Sequence, residues 1–137
     1  MDKTDAMALP QITEDGKPFW GACNRREFQL QFCTSCRRFQ FPPRSLCSHC
    51  LSTDLEERTV DGKGAVYSFT VVWRAPEPAF QQAVPYVLAL VDLDVGPRIM
   101  SNIIGCAPEQ VKIGMRVEPV FVDINEEVTL IKFQPVS

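Results

Sequence analysis

Four cysteines constrain this chain more than any other feature in it. The segment from Phe32 to Cys50 reads F-C-T-S-C-R-R-F-Q-F-P-P-R-S-L-C-S-H-C, so that Cys33-x-x-Cys36 and Cys47-x-x-Cys50 stand ten residues apart. Two residues between ligands let a tight turn aim both sulfurs at one point, and two such turns close a tetrahedral sulfur shell around a single ion. The spacing predicts a zinc ribbon, with Cys33, Cys36, Cys47 and Cys50 holding one structural Zn2+. A shell filled by four protein ligands leaves no position for a reacting water. Iron is the alternative occupant of the same sulfur cage. His49, inside the second knuckle, is expected to stay outside the shell because four thiolates already complete it.

Disulfides are the competing use of these residues. Six cysteines in 137 residues fall well below the roughly 8–10% of a disulfide scaffold. The first residues, M-D-K-T-D-A-M-A-L-P, lack the apolar stretch of a secretory signal. Both observations point to a reducing compartment, where metal is favoured over cystine, and a cytoplasmic location is expected.

The net charge is -3 and the pI about 5.1, which argues against a nucleic-acid binder. Charge is uneven along the chain. Residues 1–50 carry seven Lys/Arg against five Asp/Glu, a balance of +2, and residues 51–137 carry seven against twelve, a balance of -5. Arg25, Arg26, Arg37, Arg38 and Arg44 gather near the knuckles, as a solvated face or as a surface for phosphates or an acidic partner. No run of about 18 apolar residues is present, so no membrane span is expected.

Taken in order, residues 1–27 read as a tail and a short helix over Asp15–Glu27, with Pro18 in its first turn. Phe19, Cys23 and Arg26 share one side of that helix. Phe19 and Trp20 are adjacent and cannot both enter one groove, so one of them is expected to face the ribbon or another protein. Residues 28–53 form the ribbon: F-Q-L-Q-F at 28–32 alternates with period two, and Arg38–Phe41 is its return strand, stopped by Pro42-Pro43. From residue 54 to 137 strands dominate. In G-A-V-Y-S-F-T-V-V-W-R-A, starting at Gly64, strict alternation places Ala65, Tyr67, Phe69, Val71 and Trp73 on one face. Strand count, with one helical turn in Ala107–Ile113, predicts a mainly β chain whose C-terminal part is a five-stranded Greek-key barrel of the OB type. An open antiparallel sandwich is the alternative.

Several phrases recur in order across almost everything from Pro18 onward: P-F-W at 18–20, the two knuckles, F-P-P-R at 41–44, G-K-G-A-V-Y-S-F-T at 62–70, P-Y-V-L-A-L-V-D-L at 85–93, G-P-R at 96–98, I-G-M-R-V at 113–117 and F-Q-P at 133–135. In these the chain resembles the two-part family that joins a rubredoxin-like zinc ribbon to an acyl-CoA-associated OB-fold. Arg37 and Ser48 depart from the Gly and Pro common in the family's knuckles. The resemblance implies a non-catalytic accessory subunit that accompanies a thiolase or thiolase-like enzyme, including HMG-CoA-forming, acetyltransferase and steroid side-chain aldolase complexes. There the catalytic Cys and His belong to the thiolase-fold partner, and the small subunit stabilises it and helps to shape its acyl-CoA site.

The residues themselves agree with such a role. Acyl transfer needs a nucleophile beside a base, and the single histidine, His49, lies in a metal knuckle. Cys23 and Cys106 read as inert thiols, and Asp92 and Asp94 as solvated carboxylates on one strand face. The apolar loop Pro76–Tyr86, with Phe80 and Tyr86, reads as a partner contact or as a cap on the barrel. Phe19, Trp20 and Arg44 complete the expected contacts with a partner or acyl-CoA. Two other functions compete. A free-standing acyl-CoA binder would use the arginines on CoA phosphates, and a nucleic-acid module would stack bases on Tyr67, Phe69 and Trp73, which core packing explains more simply.

Overall fold

The structure, a computed structural model, describes residues 12–74 and 85–136. Among the described residues one eight-residue helix, α1 (Lys17–Asn24), precedes the strands. Pro18 occupies its first turn, where a missing N–H loses no helical bond. Phe19, Ala22 and Cys23, three and four positions apart, form its buried stripe. The helix is shorter than the sequence suggests. Arg26 takes φ 64°, and the N–H groups of Arg26 and Glu27 bond back to the carbonyls of Cys23 and Ala22 at 3.0 and 2.9 Å, which ends the helix in a left-handed turn. Arg26 therefore leaves the apolar side expected for it and pairs with Asp123 across the molecule.

The ribbon is a three-stranded antiparallel sheet. Strand β1 (Phe28–Cys33) lies between β2 (Arg38–Gln40) and β3 (Leu55–Val60). All six residues of β3 pair with β1, from Phe28 opposite Val60 to Cys33 opposite Leu55. The sequence reading placed this segment with the barrel. Its text, L-E-E-R-T-V, carries no apolar alternation that would assign it to either sheet, so the free edge of β1 decides the matter.

The remaining strands close a barrel: β4 (Gly64–Val72), β5 (Tyr86–Leu93), β6 (Arg98–Ile103), β7 (Arg116–Asp123) and β8 (Thr129–Pro135). Their order is β4-β5-β6-β8-β7, with β7 returning to β4. Among the described residues the β6–β8 contact is the one parallel pairing, and a 3-10 turn at Pro108–Gln110 carries the chain from β6 across to β7. This is the five-stranded OB-type barrel expected from the sequence. Val66, Val87, Ala89, Val91, Ile99, Val117, Ile131 and Phe133 are among the residues that fill it.

The face assigned to β4 needs correction. The β4–β5 register shifts between Val66 and Ser68, leaving Tyr67 as an extra residue in a bulge. One extra residue reverses which positions point inward. Val66 is buried, Phe69 and Val71 pack against the core, and Tyr67 and Trp73 are 50% and 62% exposed. The supposed stacking platform is thus split between inside and outside. Outside, the Arg98 guanidinium lies 3.5 Å from the Tyr67 ring centroid.

Ribbon and barrel share one core. Phe28 on β1 lies 6.4 Å from Phe19 and 6.5 Å from Phe133, ring centre to ring centre, and Phe19 meets Phe41 at 5.2 Å. Helix, ribbon and barrel each contribute a ring to this seam, and aromatic surface of this size dominates core energetics. The short connection between β3 and β4 passes directly beneath it. Gly62 has φ +73°, and a Cβ there would stand 2.4 Å from Phe28 Cδ2. At the surface Asn24 Nδ2 donates to the Glu127 carbonyl at 2.8 Å, and Arg26 forms a two-pronged pair with Asp123, whose carboxylate also accepts from Thr129 Oγ1 at 2.8 Å.

Two predictions arise from this junction. Gly62→Ala combines a left-handed backbone with an overpacked seam, and should cost roughly 2–4 kcal/mol in denaturant unfolding. The Arg26 guanidinium, with the Thr129 hydroxyl, holds the Asp123 carboxyl down at about 2, below the ordinary value of about 3.9. A depressed carboxyl stabilises the fold above its unfolded pKa and loses that contribution as pH falls through the folded one. Unfolding profiles of the parent and Asp123→Asn should therefore differ above pH ~4 and converge toward pH ~2.

Candidate metal centre

The four predicted cysteines converge. The sulfurs of Cys33, Cys36, Cys47 and Cys50 all lie within 4.8 Å of one another, with Cys33–Cys50 and Cys36–Cys47 each at 3.6 Å. Four sulfurs about 2.3 Å from a central Zn2+ stand about 3.8 Å apart in a tetrahedron, so the spacing suits that ion. It is far beyond the roughly 2.05 Å of a disulfide. The residues thus fit one structural zinc.

Local backbone makes this convergence. In the first knuckle the Arg37 N–H bonds to the Cys33 carbonyl at 2.8 Å, and in the second the Leu51 N–H bonds to the Cys47 carbonyl at 2.9 Å. Each closing residue takes a left-handed conformation, Arg37 at φ 61° and Leu51 at φ 66°. The arginine that departs from the family's glycine therefore adopts the glycine-like geometry, at a local backbone cost of about 1 kcal/mol. Backbone N–H groups also point at sulfur: Cys36 N–H to Cys33 Sγ at 3.4 Å and His49 N–H to Cys47 Sγ at 3.3 Å. His49 contributes its backbone to the site. Its exposed ring turns away, with Nδ1 3.4 Å from Arg38 Nη1.

The thiols differ in character before any ion binds. Burial and hydrogen bonds from Cys47, Cys33 and Cys50 push Cys36 up to about 12. Burial also opposes the Cys47 thiolate, but the backbone N–H groups of Cys50 and His49 outweigh it and bring that thiol down to about 6. Four clustered thiolates repel one another, and a divalent cation at their centre is what stabilises the set.

Sequence reasoning missed the device that delivers the second knuckle. Gln31 and Gln40, opposite each other on β1 and β2, are 9% and 4% exposed. Gln40 Nε2 donates to Gln31 Oε1 at 2.7 Å, and Gln40 Oε1 accepts from the Ser48 N–H at 2.7 Å. Gln31 brackets Arg44, donating to its carbonyl at 2.9 Å and accepting from its N–H at 2.8 Å. These amides tie the loop from Arg44 to Ser48 down on the sheet, so that Cys47 and Cys50 meet Cys33 and Cys36. Both glutamines fall at the polar phase of their strands, opposite Phe28, Leu30, Phe32 and Phe39, so alternation alone gives no sign of their burial. Buried amides persist where every partner is present.

The other predicted residues fall in different places. Phe19 is 6% exposed and belongs to the core, so it is unavailable as a partner anchor. Its neighbour Trp20, ring centres 5.1 Å apart, is the half-buried one at the surface. The Arg44 side chain is exposed while its backbone is held by Gln31. Tyr86 opens β5, half-buried, and Phe80 lies outside the described residues, as does most of the Pro76–Tyr86 loop. Cys23 is fully buried, and burial pushes its thiol up to about 11, which makes it inert. Cys106 is half-buried at the edge of a cleft. Asp92 and Asp94 pair with Arg98 and Arg116.

Two substitutions test the centre. Cys33→Ser or Cys47→Ser should abolish stoichiometric zinc by metal analysis and lower the melting temperature of the ribbon, because coordination contributes to its folding. Gln40→Leu leaves the Ser48 N–H and part of Gln31 unpartnered. We expect it to retain all four sulfurs, lose roughly 2–4 kcal/mol of stability and release zinc faster to a chelator.

Comparison with known proteins agrees with this anatomy. Residues 20–56 match the ChsH2 rubredoxin-like zinc ribbon domain, and residues 57–122 match the ChsH2 C-terminal OB-fold domain. A DUF35 domain-containing scaffold protein of Methanocaldococcus jannaschii is 44% identical over 96 residues, covering 69% of this chain and 67% of that protein. A probable enoyl-CoA hydratase alpha subunit of Thermomonospora curvata is 37% identical over 126 residues, 92% of this chain, but the chain spans only 39% of that longer protein. Among solved structures, a chain of the Ltp2-ChsH2(DUF35) aldolase superimposes with a TM-score of 0.82 at 37% identity, covering 93% of this chain and 98% of that one. With both modules matched in order and the four sulfurs in place, the chain belongs to the ChsH2 (DUF35) family of zinc-ribbon and OB-fold proteins.

Proposed function

We propose that this chain is a non-catalytic accessory subunit that scaffolds a thiolase-type catalytic chain acting on a CoA thioester and helps to shape its acyl-CoA site. One observation carries the reading: the likeness to a chain of the Ltp2-ChsH2(DUF35) aldolase extends over nearly the whole of both chains. An aldolase acting on carbon–carbon bonds is the form of partner this favours. A hydratase partner is the second reading, supported by the relative named as an enoyl-CoA hydratase alpha subunit, of which this chain would correspond to one part.

The outer face of the barrel offers a surface for such a partner. Trp20, Met100, Asn102 and Lys132 border one groove, and Tyr86, Leu88, Asn102 and Lys132 border the next, so the two share a wall. Met100 is 65% exposed at its centre. Aromatic and methionine side chains on an open strand face are the composition expected of a protein contact. Trp20, Tyr86, Arg44 and Phe80 are proposed as partner contacts, the first two on this face.

Affinity capture from native extract tests the reading. A chain of thiolase type should co-purify, and Met100→Asp should weaken capture at least tenfold while leaving the melting temperature within about 2 °C, since surface changes of this kind rarely exceed ±0.5 kcal/mol. Thioester turnover by the purified chain alone would overturn the proposal. A hydratase as the co-purifying chain would decide for the second reading.

A further inference from the structure

The four sulfurs of the metal centre are not equally protected. Cys33 and Cys47 are fully buried and Cys36 is half-buried, whereas Cys50 is exposed. Ser48, His49 and Leu51 are exposed beside it, so that Cys47 is the covered residue of the second knuckle. A filled shell leaves no position for water at the ion, but it does not keep a small oxidant from a sulfur at the rim. Thiolate character and access decide which cysteine is oxidised first. Coordination holds all four as thiolates, so access selects Cys50.

A resolving thiol stands beside it. Cys33 Sγ lies 3.6 Å from Cys50 Sγ, and Cys36 Sγ lies 3.6 Å from Cys47 Sγ. Both contacts run from one knuckle to the other. A disulfide needs about 2.05 Å, so each pair closes by a small movement of its side chains, with the two turns left as they are.

We propose that Cys50 is a site of oxidation by hydrogen peroxide, and that two disulfides, Cys33–Cys50 and Cys36–Cys47, take the place of the ion in the oxidised ribbon. The Cys50 thiolate attacks one peroxide oxygen; the O–O bond breaks, hydroxide leaves and a sulfenic acid forms. The Cys33 thiolate then attacks the Cys50 sulfur, a second hydroxide leaves and the S–S bond forms, so that one peroxide takes two electrons from two thiolates. Two of the four ligands are lost and the ion is released. A second peroxide oxidises Cys36 and Cys47 by the same steps. Because both bonds join the knuckles, the loop from Arg44 to Ser48 stays where Gln31 and Gln40 hold it, and a dithiol reductant with Zn2+ restores the original shell. None of this depends on which partner the chain accompanies.

Peroxide titration of the zinc-loaded full chain tests this, with released zinc read by a chromogenic chelator and disulfides mapped by mass spectrometry without reduction. Arg37, Arg38 and Arg44 stand between the two cysteine pairs, so trypsin separates the knuckles and a bond between them joins two peptides. Zinc release is expected in step with a joined peptide carrying Cys33–Cys50, followed by one carrying Cys36–Cys47, both reversed by dithiothreitol and zinc. Cys50→His puts a ligand nitrogen in place of the exposed sulfur and should release zinc at least tenfold more slowly under the same peroxide. Equal release from that variant would remove Cys50 as the point of entry; if the variant fails to load zinc, the mapping of the parent chain decides alone. Disulfides confined to Cys33–Cys36 and Cys47–Cys50 would overturn the pairing. Zinc retained while Cys106 oxidises, or sulfinic acid at Cys50 with no disulfide, would overturn the proposal outright.

Discussion

The convergence of four sulfurs on one point is the constraint from which the rest of the N-terminal half follows. A sheet of three short strands buries too little apolar surface to hold itself together. Coordination replaces part of the missing core, and it fixes where both knuckles and the loop between them lie. The buried Gln31–Gln40 pair extends that control, since the same amides that complete each other also hold the backbone at Arg44 and Ser48. Metal and amides act on the same loop from opposite ends.

The ribbon is not an independent appendage, because its inner strand shares the aromatic seam with the barrel. Phe28 belongs to the ribbon sheet by hydrogen bonding and to the common core by contact, with Phe19 on one side and Phe133 on the other. Gly62 lets the chain pass beneath this ring on its way into β4. Exposed apolar side chains lie elsewhere, on the outer strands, where Tyr67, Trp73 and Met100 interrupt a surface otherwise laced by arginine–carboxylate pairs. Those pairs explain Asp92 and Asp94 without catalysis, as partners that hold neighbouring strand ends in register.

A division of labour follows from the chemistry. Buried Cys23 is an inert thiol, and the four ribbon cysteines, with no open position left in their shell, serve structure. What this chain presents outward is shape, apolar contact and, at a cleft beside the knuckles, positive charge.

The sequence by itself determined the ligands, the ribbon, the barrel class and the family, because knuckle spacing, period-two alternation and ordered motifs are local signals that survive without coordinates. It did not decide which sheet would take Leu55–Val60, because pairing depends on which strand edge is free in space. Nor did it disclose the bulge at Tyr67, where one extra residue puts Tyr67 outside while Phe69 and Val71 turn inward, or that β4 ends at Val72 and leaves Trp73 exposed beyond it. Phe19 and Trp20 were equivalent as letters, and only packing against Phe28 and Phe41 made one core and left the other at the surface. The same holds for the arginines. Nine of them are visible in the text, but ion pairing is a property of distance, and tertiary structure alone left Arg37 and Arg38 together, facing a cleft, with no carboxylate in its lining.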